Sequence, residues 1–161
     1  SHVGHILELE MGSMKGSPAR FLERGWSIID PRIPTRDPWM YQDYLRQSRG
    51  EFGVAKHGYV ISRSGWFSER SASYLASGRP VVVHDTGFPM PSGSGIIRFS
   101  TPDEAAAGIE EVNRRYRYHC RTAREVLEAY FDSSNVLVRL IEESMATAGT
   151  PAPNRASQPR A

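Results

Sequence analysis

The 161-residue sequence contains a single cysteine, Cys120, and this scarcity excludes two kinds of small protein. A disulfide framework needs paired cysteines, and multi-cysteine zinc sites need at least two. Three of the five histidines, His57, His84 and His119, also lack the spacing of a metal-ligand motif. We therefore expect that the protein binds no metal and that these three histidines are ordinary core or surface residues. The single cysteine also suits the reducing environment of the cytoplasm.

Long hydrophobic runs and an excess of one charge are absent too. No apolar run approaches the roughly 18 to 20 residues that span a bilayer. Twenty Lys and Arg nearly balance 18 Asp and Glu, for a net charge of +2. The arginine-rich stretch is compensated by Glu110, four residues before Arg114, and by Glu128, four residues after Arg124. Such compensation is typical of a solvated helix face. We therefore expect neither a membrane span nor a nucleic-acid partner.

Both ends of the chain differ in composition from its middle. Residues 1–17 carry two Gly-Ser pairs and no sustained hydrophobic period, which is typical of an expression-vector remnant or a disordered segment. Residues 147–161 are rich in Pro, Ala and small polar residues, which bury too little apolar surface to offset the entropy of ordering. We therefore predict one folded domain over residues 18–146, followed by a disordered tail.

Strand-like and helix-like segments alternate through that domain. Residues 80–84 (PVVVH) form a continuous β-branched run, which is typical of a strand covered on both faces. Helix starts are predicted at Asp37, Ser68 and Thr101 because each is a capping residue ahead of an apolar stripe. Further strands are predicted at residues 26–29, 51–55, 59–61 and 95–99, and further helices from 116 to 130 and from 136 to 145. This alternation predicts a Rossmann-like, three-layer α/β/α domain with a mostly parallel sheet.

Two loops that follow predicted strands are rich in small and polar residues. The first, residues 62–71, has Gly65 for close backbone approach, two arginines, several serines and a helix start. The second, residues 85–88, contains Thr86 and Gly87. Ligands of parallel α/β sheets bind at the carboxyl ends of the strands, and a helix start offers unpaired N–H groups to a phosphate or diphosphate. Ordinary caps and turns explain the same residues, so spacing alone leaves both interpretations open.

Neither loop matches a common nucleotide-binding motif. GxxxxGK[ST] and GxGxxG are both absent, which disfavours an ordinary nucleoside triphosphatase or dehydrogenase. GxSxG is also absent, so no serine-based catalytic triad is predicted.

Longer runs carry more information than these spacings. They are residues 48–56 (SRGEFGVAK), 64–88 (SGWFSERSASYLASGRPVVVHDTGF), 99–104 (FSTPDE), 118–123 (YHCRTA) and 130–132 (YFD). In this order, and without a large gap, they resemble a group of bacterial glycosyltransferases of the GT-B fold. The resemblance implies the carboxyl-terminal, donor-binding half of a two-domain enzyme, lacking its first strand-helix unit. It also implies a nucleotide-sugar as co-substrate, with no metal and no other cofactor.

The resemblance extends to individual residues of the donor and phosphate site. It assigns to that site Ser64, Gly65, Ser68, Glu69, Arg70, Ser71, Thr86 and Gly87. Lys56 is either a phosphate contact or a surface lysine, and Glu51 either positions a hydroxyl group or braces the sheet. Gly65 and Ser73 stand where many retaining members carry an acid, so the stereochemical outcome is not assigned. No catalytic residue is identified.

We therefore expect the chain to bind a nucleotide-sugar and, once joined to an amino-terminal acceptor domain, to support transfer of the sugar to an unidentified acceptor. Alone, it is expected to be inactive or nearly so. One alternative is a non-catalytic Rossmann-like interaction module that forms hetero- or homo-oligomers through an apolar face left uncovered. A nucleic-acid-binding domain that uses the arginine-rich helix is the other.

Overall fold

Parallel strands joined through helices make up the protein. The computed structural model describes residues 8–10 and 18–148, with side chains for residues 18–146. Its strands are β1 (Glu8–Glu10), β2 (Ser27–Ile29), β3 (Glu51–Gly53), β4 (Val81–His84) and β5 (Ile96–Phe99). Its helices are α1 (Ala19–Leu22), α2 (Pro38–Gln47), α3 (His57–Ile61), α4 (Glu69–Ala76), α5 (Pro102–Arg114), α6 (Tyr116–Phe131) and α7 (Ser133–Ala148).

The central sheet has three parallel strands in the order β3-β4-β5. Val81, at the start of β4, is opposite Glu51 on one side and Ile96 on the other. Helices α4 and α5 pack on the sheet, and α6 packs on both of these helices. This arrangement confirms the predicted α/β, Rossmann-like fold with a parallel sheet.

A second, two-stranded parallel sheet precedes the central one. Its strand β1 pairs with β2, with Glu8 opposite Ser27, and α1 lies between them in the sequence. β1 falls within residues 1–17, for which the sequence predicts an expression-vector remnant or a disordered segment. Residues 1–7 and 11–17 lie outside the described part of the chain. A strand and a helix thus precede β2, where the resemblance implies a missing unit. The tail prediction also falls outside the described residues, except that residues 147–148 end α7.

Strand β4 is buried on both faces, as its continuous β-branched sequence predicts. Val81 and Val83 belong to a core cluster with side chains of α2, α4 and α6, including Leu75 and Val126. Val82 belongs to a second cluster, with Phe99 and the α5 residues Ala105 and Val112. Full burial of a valine side chain contributes roughly 1.5–3 kcal/mol, so this short strand is a main source of stability.

Three helix starts confirm the capping prediction. The Asp37 side chain accepts hydrogen bonds from the backbone N–H groups of Trp39 and Met40. Ser68 and Thr101 cap α4 and α5 in the same way. Each side chain satisfies N–H groups that have no acceptor within their own helix.

The strand predicted at residues 59–61 is wrong, because these residues lie in α3. The Lys56 carbonyl accepts hydrogen bonds from Tyr59 N (3.0 Å) and Val60 N (3.4 Å), which closes a helical turn. The Tyr59 ring also stacks on Trp66, with their centroids 5.0 Å apart. A run of three apolar residues fits a helical turn as well as a strand, so local contacts decide between them.

Helix α7 carries a row of exposed apolar side chains. Val136, Leu137, Leu140 and Ile141 are between 45% and 58% exposed. The sequence predicts these residues as the apolar side of the last helix. Within residues 8–10 and 18–148, no helix has the combination of length and apolar character that a membrane crossing requires.

Helix α6 approaches the start of β5 closely at Gly95. Gly95 has φ +74°, and a Cβ atom built there would lie 2.5 Å from Cα of Ala123. Its N–H donates a hydrogen bond of 3.3 Å to Nδ1 of His119, whose side chain is fully buried. Nε2 of His119 lies 3.6 Å from Oε1 of Glu111. A neutral imidazole with Nδ1 unprotonated fits this contact.

We predict that acidification destabilises the fold through His119. Burial lowers the pKa of His119 below its usual range, outweighing the opposite effect of Glu111. The stabilisation that comes from the neutral ring is therefore complete above about pH 6.5 and is lost as the pH falls below that value. A proton added at Nδ1 would also face the N–H group of Gly95 and remove the hydrogen bond between them. Chemical denaturation between pH 7.5 and pH 5 measures this loss.

The variant His119→Gln keeps an acceptor but does not titrate, so its free energy of unfolding should fall less across this pH range. His57→Gln, at an exposed position, is the matched control and should behave like the wild type. An unchanged pH dependence in His119→Gln would show that His119 is not the responsible group.

Candidate functional site

A cleft opens where β3 and β4 end and α4 begins. It encloses about 300 Å³ of empty space, including its open mouth. Its lining residues are Glu51, Gly53, Val54, Ala55, Trp66, Phe67, Ser68, Arg70, Ser71, Val83, His84 and Phe88. This is the carboxyl edge of the parallel sheet, where the sequence predicts ligand binding.

The two polar loops predicted from the sequence meet beside this cleft. The N–H group of Gly65 donates a hydrogen bond of 2.9 Å to the carbonyl of Thr86. In return, Oγ1 of Thr86 donates a hydrogen bond of 2.5 Å to the carbonyl of Trp66. Gly65 has φ +73°, a conformation that glycine adopts readily. We call this pair of hydrogen bonds the loop clasp.

Helix α4 points its amino-terminal end at the cleft. Oγ of the capping residue Ser68 accepts a hydrogen bond of 3.2 Å from Arg70 N. Ser68 and Ser71 both line the cleft, and Ser71 is buried. The first N–H groups of a helix carry partial positive charge and have no acceptor within the helix. The cleft therefore presents an electropositive helix start.

A buried carboxylate lies below this helix start. Oε1 of Glu51 is 2.6 Å from Nε of Arg70, and the two form an ion pair. The Glu51 side chain is only 4% exposed, whereas that of Arg70 is 49% exposed. The other carboxylate oxygen, Oε2 of Glu51, is buried and has no hydrogen-bond partner. Leaving a buried polar atom unsatisfied costs about 1–3 kcal/mol, and more when the group is charged.

An aromatic wall flanks the cleft. Trp66, which is 38% exposed, has one ring face stacked on Tyr59 at an interplanar angle of 19°. The Phe67 ring meets Phe88 edge to face, with centroids 5.1 Å apart. These rings offer a partly exposed apolar surface beside the polar helix start, a combination typical of small-molecule sites.

The predicted site residues divide into two groups. Ser68, Arg70 and Ser71 line the cleft. The others lie outside its lining: Ser64, Gly65, Glu69, Thr86, Gly87 and Lys56. Most of these have structural contacts: the Ser64 hydroxyl accepts a hydrogen bond from Trp66 N, and Lys56 precedes α3 as its cap residue. Glu69 is the exposed first residue of α4. The structure thus brings half of the first loop to the cleft and uses the second loop as its support.

Asp85 organises the second loop. Its Oδ1 accepts a hydrogen bond of 2.8 Å from Gly87 N. Its carboxylate oxygens also lie 3.8 Å from the guanidinium groups of Arg63 and Arg98. Arg98 continues the network by donating a 2.7 Å hydrogen bond to the Phe88 carbonyl, with its guanidinium over the Phe88 ring. The position of Phe88 at the cleft therefore depends on this network.

Several cleft residues were not predicted as binding residues. Trp66 and Phe67 lie within the first polar loop, residues 62–71, and this position in the sequence was the only signal for them. His84 directly follows the buried valines, where a parallel strand ends. For Glu51 the sequence left two roles open, positioning a hydroxyl group or bracing the sheet, because its burial and its unpartnered oxygen arise from contacts with α4, 19 residues later. Only the folded arrangement identifies it.

We predict that Thr86→Val loosens the first loop. The substitution keeps the shape but removes the buried hydroxyl, so the Trp66 carbonyl loses its donor and the free energy of unfolding falls by about 1–2 kcal/mol. Thr35→Val is the matched control, because its hydroxyl donates a similar 2.6 Å hydrogen bond to the Pro31 carbonyl at an exposed site. Urea denaturation compares the two variants. Equal losses would contradict the role given to the clasp.

Comparison with known proteins finds a distant similarity to a ligase. A stretch of 127 residues is 24% identical to phosphoribosylamine–glycine ligase from Halalkalibacterium halodurans, covering 79% of this chain and 29% of the ligase. The chain therefore spans less than a third of that relative's length, and this identity does not place it in the ligase's family. No family model and no solved structure matches the chain.

Proposed function

We propose that the cleft binds the diphosphate and sugar of a nucleotide-sugar, and that the chain is the donor-binding part of a GT-B glycosyltransferase. The observation that carries this proposal is the position of the α4 start at an open cleft on the carboxyl edge of a parallel sheet. The acceptor is held by a separate amino-terminal domain in this proposal. The resemblance of the sequence to that enzyme group supports the same function.

The start of α4 suits the diphosphate. Its N–H groups and partial positive charge favour an anion, and Ser68 adds a hydroxyl at the same place. During sugar transfer, negative charge grows on the departing diphosphate. Fixed donors that point at this charge lower the barrier without moving. The same helix start therefore serves both binding and departure of the diphosphate.

The aromatic wall suits the other parts of the donor. Trp66 is partly exposed beside the helix start, so a sugar or base ring can pack on it while the phosphates reach α4. The cleft is open to solvent, and its 300 Å³ of empty space includes the mouth. In the proposed enzyme, a facing domain completes the enclosure.

Two specific observations favour other candidates. The distant relative is a ligase whose name contains a phosphorylated sugar amine, and a helix start beside a carboxylate also suits ribose 5-phosphate. The exposed apolar residues of α7 favour an interaction module. Ribose 5-phosphate binding without nucleotide-sugar binding would support the first candidate. Self-association without any nucleotide binding would support the second.

We predict that Ser68→Asp abolishes donor binding while keeping the fold. Aspartate caps a helix about as well as serine, so α4 should persist. Its negative charge, however, lies where the diphosphate binds and repels it. Calorimetric titration with UDP-, GDP- and dTDP-sugars should show micromolar to millimolar binding by the wild-type chain and at least about tenfold weaker binding by the variant.

Thr101→Asp is the matched control, since it makes the same change at the cap of α5, away from the cleft lining. It should leave the affinity within about twofold of the wild type, which is about 0.4 kcal/mol. Equal affinities in Ser68→Asp and the wild type would place the phosphates away from α4. No binding of any nucleotide-sugar by the wild type would refute the proposed function.

A further inference from the structure

The Glu51 carboxylate is the least satisfied charged group in the cleft. Its side chain is 4% exposed, and Oε1 is held at 2.6 Å by Nε of Arg70. Its other oxygen, Oε2, has no hydrogen-bond partner although it is buried. A carboxylate accepts hydrogen bonds at both oxygens, so half of its capacity is unused in the absence of a ligand. Glu51 nevertheless belongs to the lining of the cleft.

Gly53 keeps the approach to this carboxylate open. Residues two apart on a strand point to the same face, so a side chain at position 53 stands next to Glu51. A Cβ atom there would lie 3.4 Å from Oε1 of Glu51 and 3.2 Å from Cγ1 of Val83. A larger side chain would crowd the carboxylate at the cleft that both residues line.

We propose that Glu51 is a binding residue that accepts a hydrogen bond from a ring hydroxyl of the ligand. This inference rests on the proposed nucleotide-sugar function and assigns one part of the donor to one residue. A carboxylate repels the diphosphate, and Glu51 also compensates the charge of Arg70. The ligand group that fits Oε2 is therefore a donor, and the donor groups of a nucleotide-sugar nearest its phosphates are the hydroxyls of the ribose and of the transferred sugar.

Arg70 orients the carboxylate for this contact. Because its Nε holds Oε1, rotation about the last bond of the Glu51 side chain is restricted to small angles. Oε2 is then the unused acceptor of a carboxylate whose orientation is set by Arg70. The ion pair therefore supplies an acceptor of fixed position. This gives Arg70 the role of holding Glu51, in addition to the phosphate contact expected from the sequence.

The test is the variant Glu51→Gln, titrated with UDP-glucose, UDP and 2′-deoxy-UDP. Glutamine is almost the same shape and can still accept from Arg70, but it replaces the charged acceptor by a neutral amide. Hydrogen bonds to charged groups are the stronger ones, so we expect at least about a tenfold loss of affinity for the preferred ligand. Glu128→Gln is the matched control, because Glu128 forms an exposed 2.7 Å pair with Arg124 on α6.

The three ligands distinguish the two sources of the hydroxyl. If it belongs to the ribose, the wild type prefers UDP to 2′-deoxy-UDP, and Glu51→Gln removes that preference. If it belongs to the transferred sugar, the wild type prefers UDP-glucose to UDP, and the variant removes that preference instead. Either result supports the assignment.

A second variant guards against misfolding of the first. Gly53→Ala leaves the ion pair intact but narrows the approach, so it should weaken binding at least a few-fold while the protein still unfolds in one cooperative transition. Full affinity in both Glu51→Gln and Gly53→Ala, with binding lost in Ser68→Asp, would overturn the role of Glu51 and leave the nucleotide-sugar function standing.

Failure of the nucleotide-sugar function can also be told apart from failure of the Glu51 assignment. If no nucleotide-sugar binds, ribose and methyl glucoside are titrated at millimolar concentration while backbone amide NMR signals are recorded. Shifts in the wild type that disappear in Glu51→Gln would sustain the hydroxyl site and overturn the proposed function alone. No shifts with either sugar would overturn both.

Discussion

Burial of β4 on both faces is the constraint on which the rest of the structure depends. Val81 and Val83 need cover from one side and Val82 from the other, so helices must lie on both faces of the sheet. Parallel neighbours on each side then require a crossover connection before every strand. The loops that follow β3 and β4 both contribute residues to the cleft at the carboxyl edge of the sheet. The cleft is thus a by-product of covering three valines.

The cleft combines two opposite electrostatic demands within a few residues. The start of α4 favours an anion, while the Glu51 carboxylate behind it favours a hydrogen-bond donor. The two coexist because Arg70 lies between them and compensates the carboxylate. A ligand that carries both phosphate and hydroxyl groups satisfies both demands at once, whereas a simple phosphate satisfies only one. The proposed site would therefore select ligands by the order in which phosphate and hydroxyl groups follow one another along the molecule.

The features that could be predicted from sequence are those that depend on near neighbours. The caps at Asp37, Ser68 and Thr101 were predictable because each side chain binds N–H groups two or three residues away. Residues 59–61 were not, because three apolar residues fit a strand and a helical turn equally well. The two polar loops were expected at one edge of the sheet, because the carboxyl ends of parallel strands lie on the same edge. The unpartnered oxygen of Glu51 could not be foreseen, because it depends on how α4 packs over β3.

The loop clasp makes one wall of the cleft rigid. Two hydrogen bonds tie residues 65–66 to Thr86, and the Tyr59 carbonyl accepts a third from Ser64 N at 3.2 Å. With Tyr59 stacked on Trp66, helix α3 and both loops form a single block. A ligand at the proposed site would therefore meet a rigid wall, and little conformational entropy would be lost there on association. Selection at this wall would depend on how well a ligand fits it at first encounter.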